Sequence, residues 1–239
     1  MKINQTLYFP NKISGLSGVD AGVASLYKRL MGASASQNDA RLAAATVWLH
    51  RLFFLSGVAA LAYQVCWQRI LFFSFGTDIE STTIIVSTFM MGLGLGALGG
   101  GWAADKMPDK IVAMFSLVEL GIGLFGFCSP WLLPHVSDMF VSAGREQMAA
   151  VNFLLLLLPT CLMGATLPML ITHCLKIYGS IGATTGELYF INTLGGALSC
   201  CLVGFVAFNF LTIKEVVAIA ACCNIFISIT AYTQFRRDA

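Results

Sequence analysis

Residues 81–104 read STTIIVSTFMMGLGLGALGGGWAA, and this stretch decides the fold. It contains no charged residue, and at about 1.5 Å per helical residue it is long enough to cross a hydrocarbon core of roughly 30 Å. Residues 94–99 within it match the G-x-G-x-x-G fingerprint of dinucleotide-binding loops. That fingerprint carries weight only between a strand and a helix, with an acidic residue about 20 positions further on. Because this context is missing, we predict a membrane-spanning helix.

The composition of the whole chain supports the same conclusion. Of its 239 residues, 57% are hydrophobic and 11% are charged, whereas about 25% are charged in ordinary soluble domains. The formal net charge of +2 is too small to favour nucleic acid as a partner. We therefore predict an all-α polytopic membrane protein whose surroundings are membrane lipid.

Six apolar stretches are long enough to span a membrane, namely 52–75, 83–104, 111–133, 148–172, 188–211 and 216–235. They predict a six-helix transmembrane domain over 47–235, between a cytoplasmic N-terminal tail, 1–46, and a short cytoplasmic tail, 236–239. With the N-terminus inside, eleven Lys or Arg residues lie on the cytoplasmic side and three on the other. This bias predicts an N-in, C-in orientation and fits a bacterial inner membrane.

The N-terminal tail contains apolar residues at helical spacing, which predict an amphipathic helix at about 19–31. Such a helix either lies on the inner membrane surface or docks on a protein partner. A disordered tail with accidental periodicity is the alternative. We expect the tail to be a docking element for a partner in a membrane complex.

The residues that commonly carry enzyme chemistry do not form a recognisable set. All eight cysteines fall in or beside apolar stretches, and no C-x-x-C occurs, so we expect them to be small hydrophobic residues rather than metal ligands. No Ser-His-acid set, paired carboxylates or phosphate loop can be placed. The sequence predicts no catalytic residue, no metal, no cofactor and no enzyme activity.

Small residues recur along two of the predicted spans at intervals that place them on one helix face. In membranes, such faces let helix backbones approach closely, and van der Waals contact then holds the helices together. The predicted packing residues are Gly92, Gly96 and Gly100 in the second span and Gly196, Cys200 and Gly204 in the fifth. We expect these two spans to pack closely, together or against their neighbours.

Glu119 is the only acidic residue well inside a predicted span. A carboxyl in lipid is costly and is a functional candidate by default. Asn192 and Thr193 are expected at a similar depth and predict a hydrogen-bonded polar site with Glu119. Two interpretations remain open: a protonated glutamic acid that holds helices together, or a proton or cation site.

Two further features concern the shape of the predicted bundle. Pro159 and Pro168 interrupt backbone hydrogen bonds in the fourth span, which predicts a kinked helix either with or without a role in a transport pathway. After the second span, a charged cytoplasmic hinge resembles the loop between helices two and three of major facilitator transporters. Its residues are Asp105, Lys106, Asp109 and Lys110, and Asp109 stands where that family usually has glycine or a base.

The two halves of the span set resemble each other at an offset of 103 residues. The matches include Gly92 with Gly195 and Gly101 with Gly204. Because matched loops fall on opposite sides of the membrane, the pattern predicts a three-plus-three inverted repeat. Chance similarity between glycine-rich spans is the alternative.

Several longer strings resemble the membrane domain of spermidine-synthase-like proteins. They are FLSG at 54–57, YQV at 63–65, LPT at 158–160, MGATLP at 163–168, GELY at 186–189 and INTLG at 191–195. In that family, a bundle resembling half of a major facilitator transporter precedes a soluble aminopropyltransferase-like domain. The resemblance therefore implies a half-transporter bundle for this chain.

The chain departs from the family in two places. Gln64 stands where the family usually has a glutamate, so the first span offers the membrane site a polar group that does not titrate. The sequence also ends four residues after the sixth predicted span, and we expect no catalytic domain.

Three functions remain after this reading of the sequence. The first is a non-catalytic membrane subunit or scaffold that packs against partner proteins in a larger assembly, which the small-residue faces favour. The second is a transporter of small solutes or of polyamine-like cations, acting as a homodimer. The third is a membrane anchor for a separately encoded aminopropyltransferase-like enzyme.

Overall fold

The computed structural model describes the backbone of residues 21–178 and 180–235 and the side chains of 48–175 and 180–233. Throughout this described part the chain is helical, without a strand. The long helices are α1 Ala21–Phe75, α2 Asp78–Lys106, α3 Ile111–Phe140, α4 Arg145–Tyr178, α5 Ile181–Cys201 and α6 Ile213–Phe235. A π turn, Leu202–Val206, and a 3-10 turn, Ala207–Asn209, extend α5.

Each long helix, with the short turns beside it, contains a segment that is apolar and long enough to cross a membrane. The six segments are Trp48–Phe75, Asp78–Lys106, Pro108–Ala143, Arg145–Leu175, Ile181–Asn209 and Ile213–Thr233. The predicted all-helical class with six membrane-spanning helices is confirmed. Each of these six segments begins a few residues before its predicted span, because polar residues such as Asp78 and Arg145 are also helical.

The contacts within the chain divide it into two compact units, Met1–Ala45 and Thr46–Ala239. The predicted amphipathic helix at 19–31 overlaps the beginning of α1 at Ala21. It does not end near residue 31, because α1 continues to Phe75 through a stretch that contains no proline. The rest of the predicted N-terminal tail, 1–20, and the C-terminal tail, 236–239, lie outside the described residues.

The turns between helices follow from local sequence. Gly76 and Gly144 adopt φ of 73° and 110°, a region that residues with a side chain rarely enter. Gly76 ends α1, and Gly144 stands before α4. At the start of α6, Thr212 and Glu215 form a capping box, since the Thr212 N–H donates to Glu215 Oε2 at 2.7 Å and the Glu215 N–H donates to Thr212 Oγ1 at 3.3 Å.

The helices pack as pairs around a buried centre. α2 and α4 run in the same direction, because Gly92 lies against Thr160 and Gly100 lies against Ala165. α3 and α6 run in opposite directions, with Ser228 Oγ donating a hydrogen bond of 2.7 Å to the carbonyl of Ser116. Large aromatic side chains of α1 fill the space between these pairs.

Trp67 connects α1 to α3 in this core. Its ring stacks on Tyr63 with centroids 5.2 Å apart, and its Nε1–H donates to Ser129 Oγ at 2.8 Å. Ser129 in turn donates to the carbonyl of Gly126 at 2.7 Å. That carbonyl would otherwise lack its helical partner, because Pro130 has no N–H to donate. A single hydroxyl therefore satisfies both a buried indole and a carbonyl freed by proline.

Candidate functional site

Glu119 lies in the first third of α3 and has 0% exposure. Ser56 Oγ of α1 donates a hydrogen bond of 2.8 Å to its Oε1, and Asn224 Nδ2 of α6 donates one of 2.6 Å to its Oε2. Each carboxyl oxygen therefore accepts a hydrogen bond from a different helix. Burial of a carboxyl is costly unless such partners are present, so this arrangement both satisfies Glu119 and joins three helices.

A cavity of about 100 Å³ lies against Ser56 and Asn224, the two partners of Glu119. All six helices contribute to its lining. The polar lining residues are Ser56, Gln64, Asn192 and Asn224, and the apolar ones are Ala60, Leu61, Phe89, Met90, Leu93, Ile122 and Met163. The site is therefore a small pocket with polar groups on part of its wall and hydrocarbon on the rest.

The polar residues singled out in the sequence are not all brought together. Gln64 and Asn192 line the cavity, and Glu119 lies behind it, hydrogen-bonded to two lining residues. Thr193 does not join them, because it is exposed on the outer side of α5. Successive helical residues point about 100° apart, so Asn192 and Thr193 do not share a face.

Eight buried side-chain oxygen atoms of the described residues have no hydrogen-bond partner, and two of them concern the candidate site or the aromatic core beside it. These two are Asn224 Oδ1 and the hydroxyl of Tyr63, on side chains that are 1% and 0% exposed. Buried polar atoms are nearly always paired, so each unpaired atom indicates an interaction that the chain itself does not supply. Because Asn224 lines the cavity, its free oxygen belongs to the candidate site.

Ser56 and Asn224 were missed by the sequence analysis. Neither belongs to a motif of known chemistry. A usable signal existed for Asn224, which stands between apolar residues in the middle of the sixth span. Ser56 lies in the FLSG string at 54–57, but a serine alone does not indicate a polar site, because serines are common in membrane helices and bond readily to their own backbone.

The predicted packing glycines of the second span lie against α4. A Cβ on Gly92, Gly96 or Gly100 would collide with Thr160, Cys161 or Ala165, respectively. Backbone of one helix therefore fits directly onto the other, as small-residue faces permit.

The predicted packing residues of the fifth span do not share one contact face. Gly196 packs against Leu61 of α1, whereas none of the described residues comes within 4 Å of a Cβ placed on Gly204, and Cys200 is only half-buried. The packing face of α5 instead runs through Gly195 and Gly196. This face contacts α1 and not α2.

The two prolines of the fourth span do not break its helix. α4 passes through Pro159 and Pro168 without a break. Thr160 Oγ1 donates to the carbonyl of Leu156 at 2.9 Å, and Thr166 Oγ1 donates to that of Met163 at 2.8 Å. A proline leaves the carbonyl four residues before it without its helical partner. The two threonine hydroxyls donate to neighbouring carbonyls and not to those freed ones.

The predicted cytoplasmic hinge forms a short turn between α2 and α3. α2 ends at Lys106, and a 3-10 turn, Pro108–Lys110, leads directly into α3. All four charged hinge residues are exposed, and the Lys106 ammonium lies 4.7 Å from the centre of the Trp102 ring. The hinge is separate from the cavity.

α2 and α5 each carry a small-residue face that no other part of the described chain covers closely. Gly94, Ala97 and Gly101 form the α2 outer face. Gly94 has nothing within 4 Å of a built Cβ, and Gly101 only Pro168 at 3.9 Å. Ala197, Cys200 and Gly204 form the α5 outer face, with Ala197 and Gly204 exposed. The intervals of three and four residues keep each set on one side of its helix.

Comparison with known proteins gives one distant relative. No family model and no solved structure matches the chain. It is similar to a polyamine aminopropyltransferase of Oceanobacillus iheyensis, with 20% identity over 190 residues. The match covers 78% of this chain but 36% of the relative, so the chain spans about a third of that protein's length. The six-helix membrane protein described above is thus similar, over most of its length, to part of an aminopropyltransferase.

Proposed function

We propose that this chain is a non-catalytic integral membrane subunit that packs against another membrane-spanning protein through α2 and α5. The observation that carries the proposal is the uncovered small-residue face on each of these helices. Bulky apolar side chains are sufficient to face lipid, whereas aligned small residues let a neighbouring helix approach closely. The segment Ile181–Asn209 also has the smallest buried share of the six, 22%, as expected for a helix whose partner lies outside the chain.

The two outer faces correspond to each other at the offset of 103 residues that relates the halves of the sequence. The buried contacts follow the same relation. Gly164 packs against Leu93 in the α4–α2 pair, and Gly196 packs against Leu61 in the α5–α1 pair. These matched contacts support our proposal that the bundle is a three-plus-three inverted repeat, resembling half of a major facilitator transporter.

The N-in, C-in orientation in the membrane is part of the same proposal. With both termini in the cytoplasm, the Lys and Arg excess lies inside, as is usual for membrane proteins. Such a protein fits a bacterial inner membrane. A reporter fused in the turn at Gly144 and one fused after Ala239 are expected to show opposite sides of the membrane.

The similarity to an aminopropyltransferase favours a second candidate function. The relative is a polyamine aminopropyltransferase by name, and the match covers 78% of this chain. We therefore also consider that this chain anchors an aminopropyltransferase-like enzyme at the membrane. In that case the partner is soluble and does not require the α2 and α5 outer faces.

Native mass spectrometry of gently solubilised membranes tests the subunit proposal. We expect the chain at a fixed stoichiometry with a second membrane-spanning chain, either a copy of itself or another protein. Gly204→Leu places a bulky side chain on the α5 outer face and is expected to release the partner. Gly99→Leu is the matched control, since Gly99 also has open space around it but lies off the α2 outer face.

Recovery of the unmodified chain only as a monomer would overturn the subunit proposal. Release of the partner by both leucine variants would show that added bulk, rather than the outer face, is responsible. Association with a soluble enzyme that survives Gly204→Leu would instead favour the anchor.

A further inference from the structure

The cavity beside Glu119 presents hydrogen-bond acceptors that the chain leaves unused. Ser56 gives its only hydroxyl proton to Glu119, so the Ser56 oxygen can only accept from any other partner. Asn224 turns its amide nitrogen to Glu119, which leaves Oδ1 unpaired although the side chain is 1% exposed. The carboxyl therefore orients both neighbours so that their acceptor atoms remain for a ligand that donates hydrogen bonds.

The charge of the site calls for the same kind of ligand. A buried carboxylate is stable only when its charge is paired or when it takes up a proton. The ion pairs measured among the described side chains are His50 with Glu187 and Arg145 with Glu80. Neither pair includes Glu119, so the balancing charge is expected to come from outside the chain.

We propose that this cavity binds a primary ammonium group carried on a short alkyl chain, with Glu119 as its counter-charge. An ammonium group offers three N–H donors and no acceptor, which complements the free oxygens of Ser56 and Asn224. Gln64 and Asn192 supply further amide groups at the same wall. This site is independent of the subunit role proposed above.

The rest of the lining distinguishes an alkylammonium ion from a bare metal ion. Leu61, Phe89, Leu93, Ile122 and Met163 also line the cavity and have no side-chain oxygen to offer a metal ion. Metal cations such as Ca²⁺ or Mg²⁺ require oxygen atoms on all sides, whereas an alkyl chain packs against hydrocarbon. The volume of about 100 Å³, where a water molecule occupies about 30 Å³, limits the ligand to a few heavy atoms.

Calorimetric titration of the purified protein with methylammonium chloride tests the site. Sodium chloride and tetramethylammonium chloride are the controls. The sodium ion has neither N–H donors nor a methyl group, and the tetramethylammonium ion has the same charge as methylammonium but no N–H donor. We expect saturable binding of methylammonium alone. Glu119→Gln is expected to raise its dissociation constant about tenfold or more, and Glu146→Gln, the same change at an exposed carboxylate, is expected to leave it unchanged.

Infrared difference spectroscopy adds a readout that does not depend on affinity. If Glu119 is protonated in the empty site, methylammonium binding is expected to remove a protonated-carboxyl band that is absent from Glu119→Gln. Gln64→Leu provides a second variant if Glu119→Gln does not fold, because Gln64 lines the cavity without a bond to Glu119; it is expected to weaken binding. Binding by none of the three salts, by sodium alone, or equally by all three would overturn the proposal.

Discussion

Asn224 of α6 and Glu119 of α3, 105 residues apart in the chain, are joined by a hydrogen bond of 2.6 Å. Together with the bond from Ser56, it fixes the point where α1, α3 and α6 meet. The carboxyl is thus a structural connection as well as a candidate binding group. In our proposal, stability depends on the donors around Glu119, whereas ligand binding depends on the Glu119 charge and on the free oxygens of Ser56 and Asn224.

The stability of the bundle is expected to depend on Ser56 only while Glu119 is present. Ser56→Ala removes a donor from a buried carboxyl and is expected to lower the free energy of unfolding by about 1–3 kcal/mol. In a Glu119→Leu background the same change is expected to cost less than about 0.5 kcal/mol, because no buried acceptor remains. Equilibrium unfolding of the four proteins in mixed micelles measures the difference. Equal costs in both backgrounds would contradict the assigned hydrogen bond.

The contact of α2 with α4 predicts different effects for two glycines in the same helix. Gly96→Ala places a Cβ onto the carbonyl of Cys161 and is expected to destabilise the bundle by about 1–3 kcal/mol through overpacking. Gly99→Ala meets nothing within 4 Å and is expected to be neutral or to stabilise by up to about 1 kcal/mol, since alanine is the better helix former. Thermal unfolding in detergent compares them. A neutral Gly96→Ala would mean that the two helices are further apart than described.

Ser129 is expected to stabilise the bundle, because Pro130 leaves the Gly126 carbonyl without its helical partner. Ser129→Ala leaves both the Trp67 N–H and the Gly126 carbonyl without a partner, which is expected to cost about 1–3 kcal/mol for each group left unpaired. Adding Pro130→Ala restores an N–H for that carbonyl and is expected to recover part of the loss. Trp fluorescence during unfolding follows the effect. No recovery in the double variant would argue against a carbonyl freed by proline.

The six helices were predictable from sequence because uncharged stretches of this length have few alternatives to a membrane span. Residues 81–104, for example, lie entirely within α2. Helix ends were less predictable, since polar residues such as Asp78 and Glu80 also fit a helix once it has begun. The separate amphipathic helix expected at 19–31 instead continues in α1, and no proline follows it to break the helix.

The candidate site was only partly predictable, because it depends on which helix faces meet. Glu119 stood out as a lone acid within a span, and Asn192 was placed at the right depth. Thr193 was expected to join the same site but faces outward, because depth alone does not give the direction of a side chain. Ser56 and Asn224 became visible only when α1 and α6 were brought against α3.

Site-specific photo-crosslinking in native membranes tests the subunit proposal most directly. A photoreactive side chain is placed at Ala197, on the α5 outer face, or at Leu117, which is 69% exposed on α3 and outside both outer faces. We predict a discrete protein adduct from position 197 and only lipid adducts from position 117. Lipid adducts alone from position 197 would contradict the proposal that α5 packs against another protein.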